Sequence, residues 1–214
     1  MTSVSNASAP RSGAGVRLAN LVVDPVDAFR GIACDPSWRL AFLAAVGVRF
    51  GSLFVFYEPS VTPIKALGGL LLQVLTVGPT VLLSSLVVWL VARVWRVNVA
   101  WATAFSILMH VYVAFTLATL AFSSVAGALL TESADVDLRN PPFTNLTSLV
   151  GGTDSDVVRT LAGEMDVRST YVLVLLWLGL RGAAPDAPRS AIARALLTIA
   201  VVRVVGVTAV SLLR

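Results

Sequence analysis

Five apolar runs, each close to the thickness of a bilayer or longer, fix what this chain can fold into. They cover roughly residues 39–57, 66–94, 99–130, 167–184 and 191–213. A hydrocarbon core of about 30 Å needs some 20 helical residues to cross it. Within that core the backbone finds no water, so each run has to satisfy its hydrogen bonds internally, as a helix does. The expected fold class is all-α integral membrane: five transmembrane helices with a short N-terminal interfacial helix.

Composition excludes the alternatives. Of 214 residues, 57% are hydrophobic and 13% charged, and the mean hydropathy is +0.84. A water-soluble domain carries roughly 25% charged residues, about twice what is present. One cysteine, Cys34, removes a disulfide scaffold from consideration. The net charge of +4 is the excess of sixteen basic residues, fifteen Arg and one Lys scattered singly, over twelve acids. Nucleic-acid binding needs basic residues gathered on one face, so no nucleic-acid partner is expected.

Residues 1–19 are Ser-, Ala- and Gly-rich without an apolar core, which reads as a flexible cytoplasmic tail rather than a secretory signal. The membrane domain then covers 20–213. From Asn20 to Ser37, Leu21, Val22, Val23, Phe29 and Ile32 alternate with Asp24, Asp27 and Arg30. That mixture suits a short element lying on the membrane surface. Glu58 to Lys65, with Pro59 and Pro63, forms a tight connection.

The second and third runs are too long to stand upright, since some 30 residues make about 45 Å of helix. The second is expected to kink at Pro79, which leaves the carbonyl of Leu75 without its helical donor. The third has no proline and is expected to tilt, or to break near Ser123, Ser124 and Gly127. Residues 131–166 form one long polar outer loop. Asn140-Pro141-Pro142-Phe143 is a turn there, and Ser155 can cap a helix carrying Val157, Val158, Leu161, Ala162 and Met165 on one face. The Asn145-Leu146-Thr147 triplet is read as accidental.

Basic residues set the orientation. With the N-terminus cytoplasmic, nine basic residues flank the spans inside (Arg11, Arg17, Arg30, Arg39, Arg93, Arg96, Arg181, Arg189, Arg194) and five outside (Lys65, Arg139, Arg159, Arg168, Arg214). Seven of the twelve acids fall in or beside the outer loop. The expectation is a multi-pass protein of the cell membrane, N-terminus inside and C-terminus outside.

Two arginines fall deep inside spans: Arg49 in the first and Arg203 in the fifth. Each costs about 2.5–3.5 kcal/mol to insert, against about −0.3 to −0.6 for each Leu, Ile, Phe or Val. The first span has ten such residues and the fifth twelve, so Arg49 offsets most of its span's insertion energy. No acid lies at matching depth, leaving backbone carbonyls, Gln73 and lipid phosphates as partners. An anion or lipid-headgroup site and plain structural anchoring both fit this pattern.

His110 follows Ser106 by one helical turn. A Ser/His hydrolase would need the base across from the nucleophile, an oxyanion hole and an orienting acid, none of which has a sequence mark. An interhelical hydrogen bond is the expected role of His110. One His and one Cys cannot make a metal site, and Gly13 and Gly15 lack the strand–helix context of a phosphate loop. No cofactor and no catalytic residue is expected. Gly47-x-x-x-Gly51 and Ser123-x-x-x-Gly127 are small-residue pairs suited to helix packing, within the bundle or between two copies.

Two stretches carry a resemblance. One is Asp24-Pro25, Phe29, Ile32 and Pro36; the other is Met165-Asp166-Val167 followed by Leu175-Leu176-Trp177-Leu178-Gly179-Leu180, a basic turn and Ala191. With the basic turn Arg93-Val94-Trp95-Arg96 and the five spans, their order resembles the Yip domain family of Ypt/Rab-interacting membrane proteins and its prokaryotic relatives. The third span lacks the proline that family places soon after its tyrosine (here Tyr112), and Arg168-Ser169-Thr170 stand where aromatic residues are usual. The resemblance implies a five-span, non-enzymatic protein that binds or organises membrane lipids or other membrane proteins. Near-exclusive use of Arg over Lys suggests a GC-rich prokaryotic genome, so the Rab role of eukaryotic members is not carried over. The alternative is a small permease or channel subunit with Arg49, Gln73, His110 and Arg203 along an aqueous path.

Overall fold

Asp24 divides the N-terminal segment into two helices, where the sequence suggests a single surface element. The computed structural model describes residues 13–56, 62–129 and 167–212. Helix α1 covers Ala14–Val23 and α2 covers Pro25–Cys34. The Asp24 amide donates back to the Asn20 carbonyl, closing α1. The Asp24 side chain then accepts from the Asp27 amide at 3.1 Å, opening α2 with Pro25 in its first turn. A carboxylate cap and Asp27 in the first turn both suit the positive end of the helix dipole. Helix α1 begins at Ala14, inside the stretch expected to be a tail, because Leu18 and Leu21 pack into the core beside α2.

The expected runs become helices at nearly the expected places. They are α3 (Arg39–Phe56), α4 (Pro63–Val94), α5 (Trp101–Leu129), α6 (Val167–Ala183) and α7 (Arg189–Leu212). Among the described residues there is no strand. Helix α4 starts three residues earlier than expected. Thr62 caps it, its hydroxyl accepting from the Lys65 amide at 3.4 Å, and Pro63 takes the first-turn position where no amide proton is needed. Both α4 at Pro79 and α5 at Ser123 and Gly127 remain helical on either side, so the expected break in α5 is absent. The outer loop and its helix lie outside the described residues.

Three of these helices are long and apolar enough to cross a membrane: Ile64–Val94, Trp101–Ala121 and Arg189–Ala209. Helix α3 has 18 described residues and α6 has 17, both within the range of about 17–25 residues that a span uses. Side-chain contacts mark one common end of the bundle. Trp38, before α3, meets Phe105 near the start of α5, with ring centroids 5.6 Å apart. Trp95, after α4, donates its indole N–H to Thr198 Oγ1 in α7 at 2.9 Å. Gly179, near the end of α6, lies against Ile107 in α5. The starts of α3, α5 and α7 therefore gather with the ends of α4 and α6, and successive helices run in alternating directions.

Helix α5 is the centre of this arrangement. Two apolar clusters meet on it: Phe29, Ile32, Val88, Ile107, Leu180 and Ile192 belong to one, and Ala41, Ala45, Val77, Val81 and Met109 to the other. Helices α4 and α7 are the reverse, turning Ile64, Leu67, Leu75, Leu83, Leu197 and Val205 outward. Only 11% of the most apolar stretch of α7 is buried. An apolar surface this extensive has no place in water and suits hydrocarbon.

The turn from α4 to α5 uses Arg96 where helices usually end on glycine. Arg96 has φ 59°, its amide donates to the Arg93 carbonyl at 3.0 Å, and the Val97 amide reaches back to Ala92 at 2.8 Å. This is the Schellman pattern, with buried Val97 making the accompanying apolar contact. A left-handed non-glycine residue costs roughly 1–2 kcal/mol, partly recovered in the unfolded chain. Arg96→Gly is therefore expected to raise stability by about 0.5–1 kcal/mol, measured by thermal unfolding in detergent.

Candidate functional site

The helices α4, α5, α6 and α7 leave a groove of about 420 Å³ between them. Its walls are mostly apolar, with Val81 and Val88 from α4, Val111 and Phe115 from α5, and Leu176 from α6. The polar groups on it are Thr80, Ser84, Tyr112 and, from α7, Arg203. Among the described residues that line it, Arg203 is the charged one. The volume falls in the range of ~300–1,000 Å³ typical of small-ligand sites, which are likewise apolar with a few fixed polar groups.

The indole bond of Trp95 to Thr198 marks the depth of the Arg203 backbone. Arg203 follows Thr198 by five residues, about 7.5 Å along the helix. In a helix the Cα–Cβ bond leans toward the N-terminus, so Arg203 leans toward the end of the bundle that holds Trp95. That end carries further basic residues on aromatic rings: Arg93 lies 5.0 Å from the Trp89 ring centre, and Arg194 lies 5.6 Å from that of Trp95.

Of the four intramembrane residues singled out from the sequence, only Arg203 lines this groove. Arg49 is exposed on α3. Gln73 is half-buried on α4, its Oε1 buried without a hydrogen-bond partner. His110 is buried in α5 and its Nδ1 sits 2.7 Å from the Ser106 carbonyl oxygen. That bond lies within one helix, replacing the interhelical bond expected. It also engages the backbone of Ser106, while the buried Ser106 hydroxyl makes no hydrogen bond, so the two side chains are not coupled as nucleophile and base.

Within the chain, the close approach of helices lies away from Gly47 and Gly51. A Cβ added at Gly47 or Gly51 would meet nothing within 4 Å. The close approach lies at Gly179 and Gly182, where α2 crosses α6: a Cβ at Gly182 would come within 3.2 Å of the backbone of Phe29 and Arg30. Gly-x-x-Gly near the end of an apolar run is the sequence signal that could have found it. The pair Ser123 and Gly127 lies on α5, whose side chains are not described there.

Arg17 was also missed, having been counted only as a charge flanking the spans. It is buried at 6% exposure and closes the end of α2. One terminal nitrogen donates to the carbonyls of Gly31 (3.2 Å) and Asp35 (2.7 Å), and the other to the Asp35 carboxylate at 2.7 Å. A second, aromatic groove of about 670 Å³ lies between α3, α4 and α5, lined by Trp38, Phe42, Trp101 and Phe105. Among the described residues no group of three His, Cys, Asp or Glu is placed to hold a metal ion. No protein-family profile, curated protein or solved structure matches this chain.

Proposed function

We propose that this chain is a five-span, non-enzymatic cell-membrane protein of the Yip-like type, and that it binds and organises other membrane components. The N-terminus is placed in the cytoplasm and the C-terminus outside. The alternation of helix directions supports five crossings, with α4 and α7 turning apolar side chains outward to lipid. The order of the Asp24-Pro25 and Met165-Asp166-Val167 stretches supports the Yip-like reading.

The observation that carries the binding role is the groove itself. Four helices wall it, and its described lining is mostly apolar with Thr80, Ser84, Tyr112 and Arg203 as polar groups. Such a site suits an amphiphile from the bilayer better than a water-soluble solute. The permease reading has less support, since Arg49, Gln73 and His110 do not share the groove with Arg203.

Purification in mild detergent, followed by mass spectrometry of what remains bound, tests the proposal. Ser84 is exposed and lines the groove, so Ser84→Phe fills it without disturbing the core. The wild-type protein is expected to retain amphiphile at near-stoichiometric amounts and Ser84→Phe to lose at least five-fold of it. Equal retention by both proteins would place the binding elsewhere.

A further inference from the structure

Resting on the membrane reading proposed above, we infer that Arg96 and Arg194, on either side of the Trp95 indole, bind the headgroup phosphate of an anionic phospholipid where α4 and α7 meet the cytoplasmic surface. The tryptophans mark that surface. All five of the chain lie toward the same end of the bundle. They are Trp38 before α3, Trp89 and Trp95 at the end of α4, Trp101 at the start of α5, and Trp177 within the last two turns of α6. Such a belt sits at headgroup level, where an indole has apolar surroundings on one side and wet ones on the other.

Two observations single out these arginines. Arg96 stands in the left-handed region at φ 59°, where glycine costs less. The fold uses its amide, which donates to the Arg93 carbonyl. Its side chain is exposed and makes no hydrogen bond or ion pair among the described residues. Arg194 is exposed on the second turn of α7, its guanidinium 5.6 Å from the Trp95 ring centre. The ring is itself fixed by its bond to Thr198. The Cα–Cβ bond of Arg194 leans toward the start of α7, out of the apolar layer. Carboxylates at this end leave both charges standing. Asp24 and Asp27 serve the start of α2, Asp35 pairs with Arg17, and Asp186 makes no ion pair among the described residues. Arginine takes phosphate oxygens in pairs through its planar fork, and an anionic leaflet supplies them. A zwitterionic lipid offers the same phosphate but brings its own cation to a site that already holds two.

Basic residues at a membrane surface attract anionic lipid in general, so the test compares two double variants of equal charge. Native mass spectrometry of protein released from nanodiscs of equal dioleoyl-phosphatidylcholine and dioleoyl-phosphatidylglycerol reads the lipids retained. The wild-type protein is expected to hold phosphatidylglycerol at least five-fold over phosphatidylcholine. Arg96→Gln with Arg194→Gln is expected to bring that ratio within two-fold of unity. Arg30→Gln with Arg39→Gln, exposed at the same end, is expected to leave at least half of the preference. Arg96→Gly alone should lower the ratio at least two-fold while raising stability, which separates lipid binding from misfolding. No preference in the wild-type protein, or equal loss in both double variants, would overturn the inference and leave the amphiphile groove, read by Ser84→Phe, standing. A protein that enters no nanodisc would overturn the membrane reading with it.

Discussion

Replacing Gly179 by leucine is expected to lift α2 off the bundle and to lower stability by more than 3 kcal/mol, a magnitude at the upper end for overpacked cores, typically ~1–3 kcal/mol. A Cβ at this position would lie 2.5 Å from Ile107 Cγ2 and 3.4 Å from two ring carbons of Phe29. Neither neighbour has room to give. Ile107 is branched at Cβ and holds one rotamer in a helix, and both it and Phe29 are fully buried. Alanine alone should cost about 2 kcal/mol. At Gly182 the obstacle is backbone, with the Arg30 nitrogen and the Phe29 carbonyl carbon each 3.2 Å from the added atom, so Gly182→Ala should behave similarly. Equilibrium unfolding in detergent measures the loss. Labelling of a single cysteine placed at buried Ala28 of α2, in a chain carrying Cys34→Ser, reports in the same samples whether the helix has come away. Undiminished stability in Gly179→Leu would mean that α2 does not seat against α6 as described.

Removing the Arg17 side chain should have the second largest effect. The guanidinium supplies donors to two carbonyls at the C-terminal end of α2, where a helix leaves such groups unsatisfied and where positive charge is favoured. Hydrogen bonds involving a charged group contribute about 1.5–3 kcal/mol each, and truncation also relieves the buried, unpartnered Nε of Arg17. Arg17→Ala is therefore expected to lose about 2–3 kcal/mol. The ion pair itself is the smaller part. The Asp35 side chain is 57% exposed, so Asp35→Asn should cost less than about 1 kcal/mol. Equal losses in the two variants would shift the explanation from capping to the salt bridge.

Hydropathy made the helices legible, because hydrocarbon imposes on the sequence the same demand that it imposes on the fold. Helix α3 opens at Arg39 and α6 closes at Ala183, each within a residue of the expected run, for that reason. The N-terminal pair was less legible. Its docking depends on Phe29 meeting Gly179, residues 150 positions apart, and no local pattern announces such a contact. Arg17 shows the same limit: an arginine near an apolar segment reads as an orientation signal, and only the fold reveals that it is buried against α2. The glycine pairs make the point from the other side. Gly47-x-x-x-Gly51 is the stronger motif on paper, yet Gly179 and Gly182 are the ones with a neighbour close enough to require them. Arg203 was found from its depth alone, but the groove it shares with α4, α5 and α6 emerged only once four helices were brought together.

The proposed five-span topology would put Asp186, between α6 and α7, on the cytoplasmic side and Asn145 on the other. Single cysteines at these two positions, in a chain carrying Cys34→Ser, can be challenged in intact cells with a membrane-impermeant maleimide. Labelling at 145 in intact cells, and at 186 only after lysis, is the expected result. Labelling at 186 from outside, or protection at 145 until lysis, would contradict the five-span account.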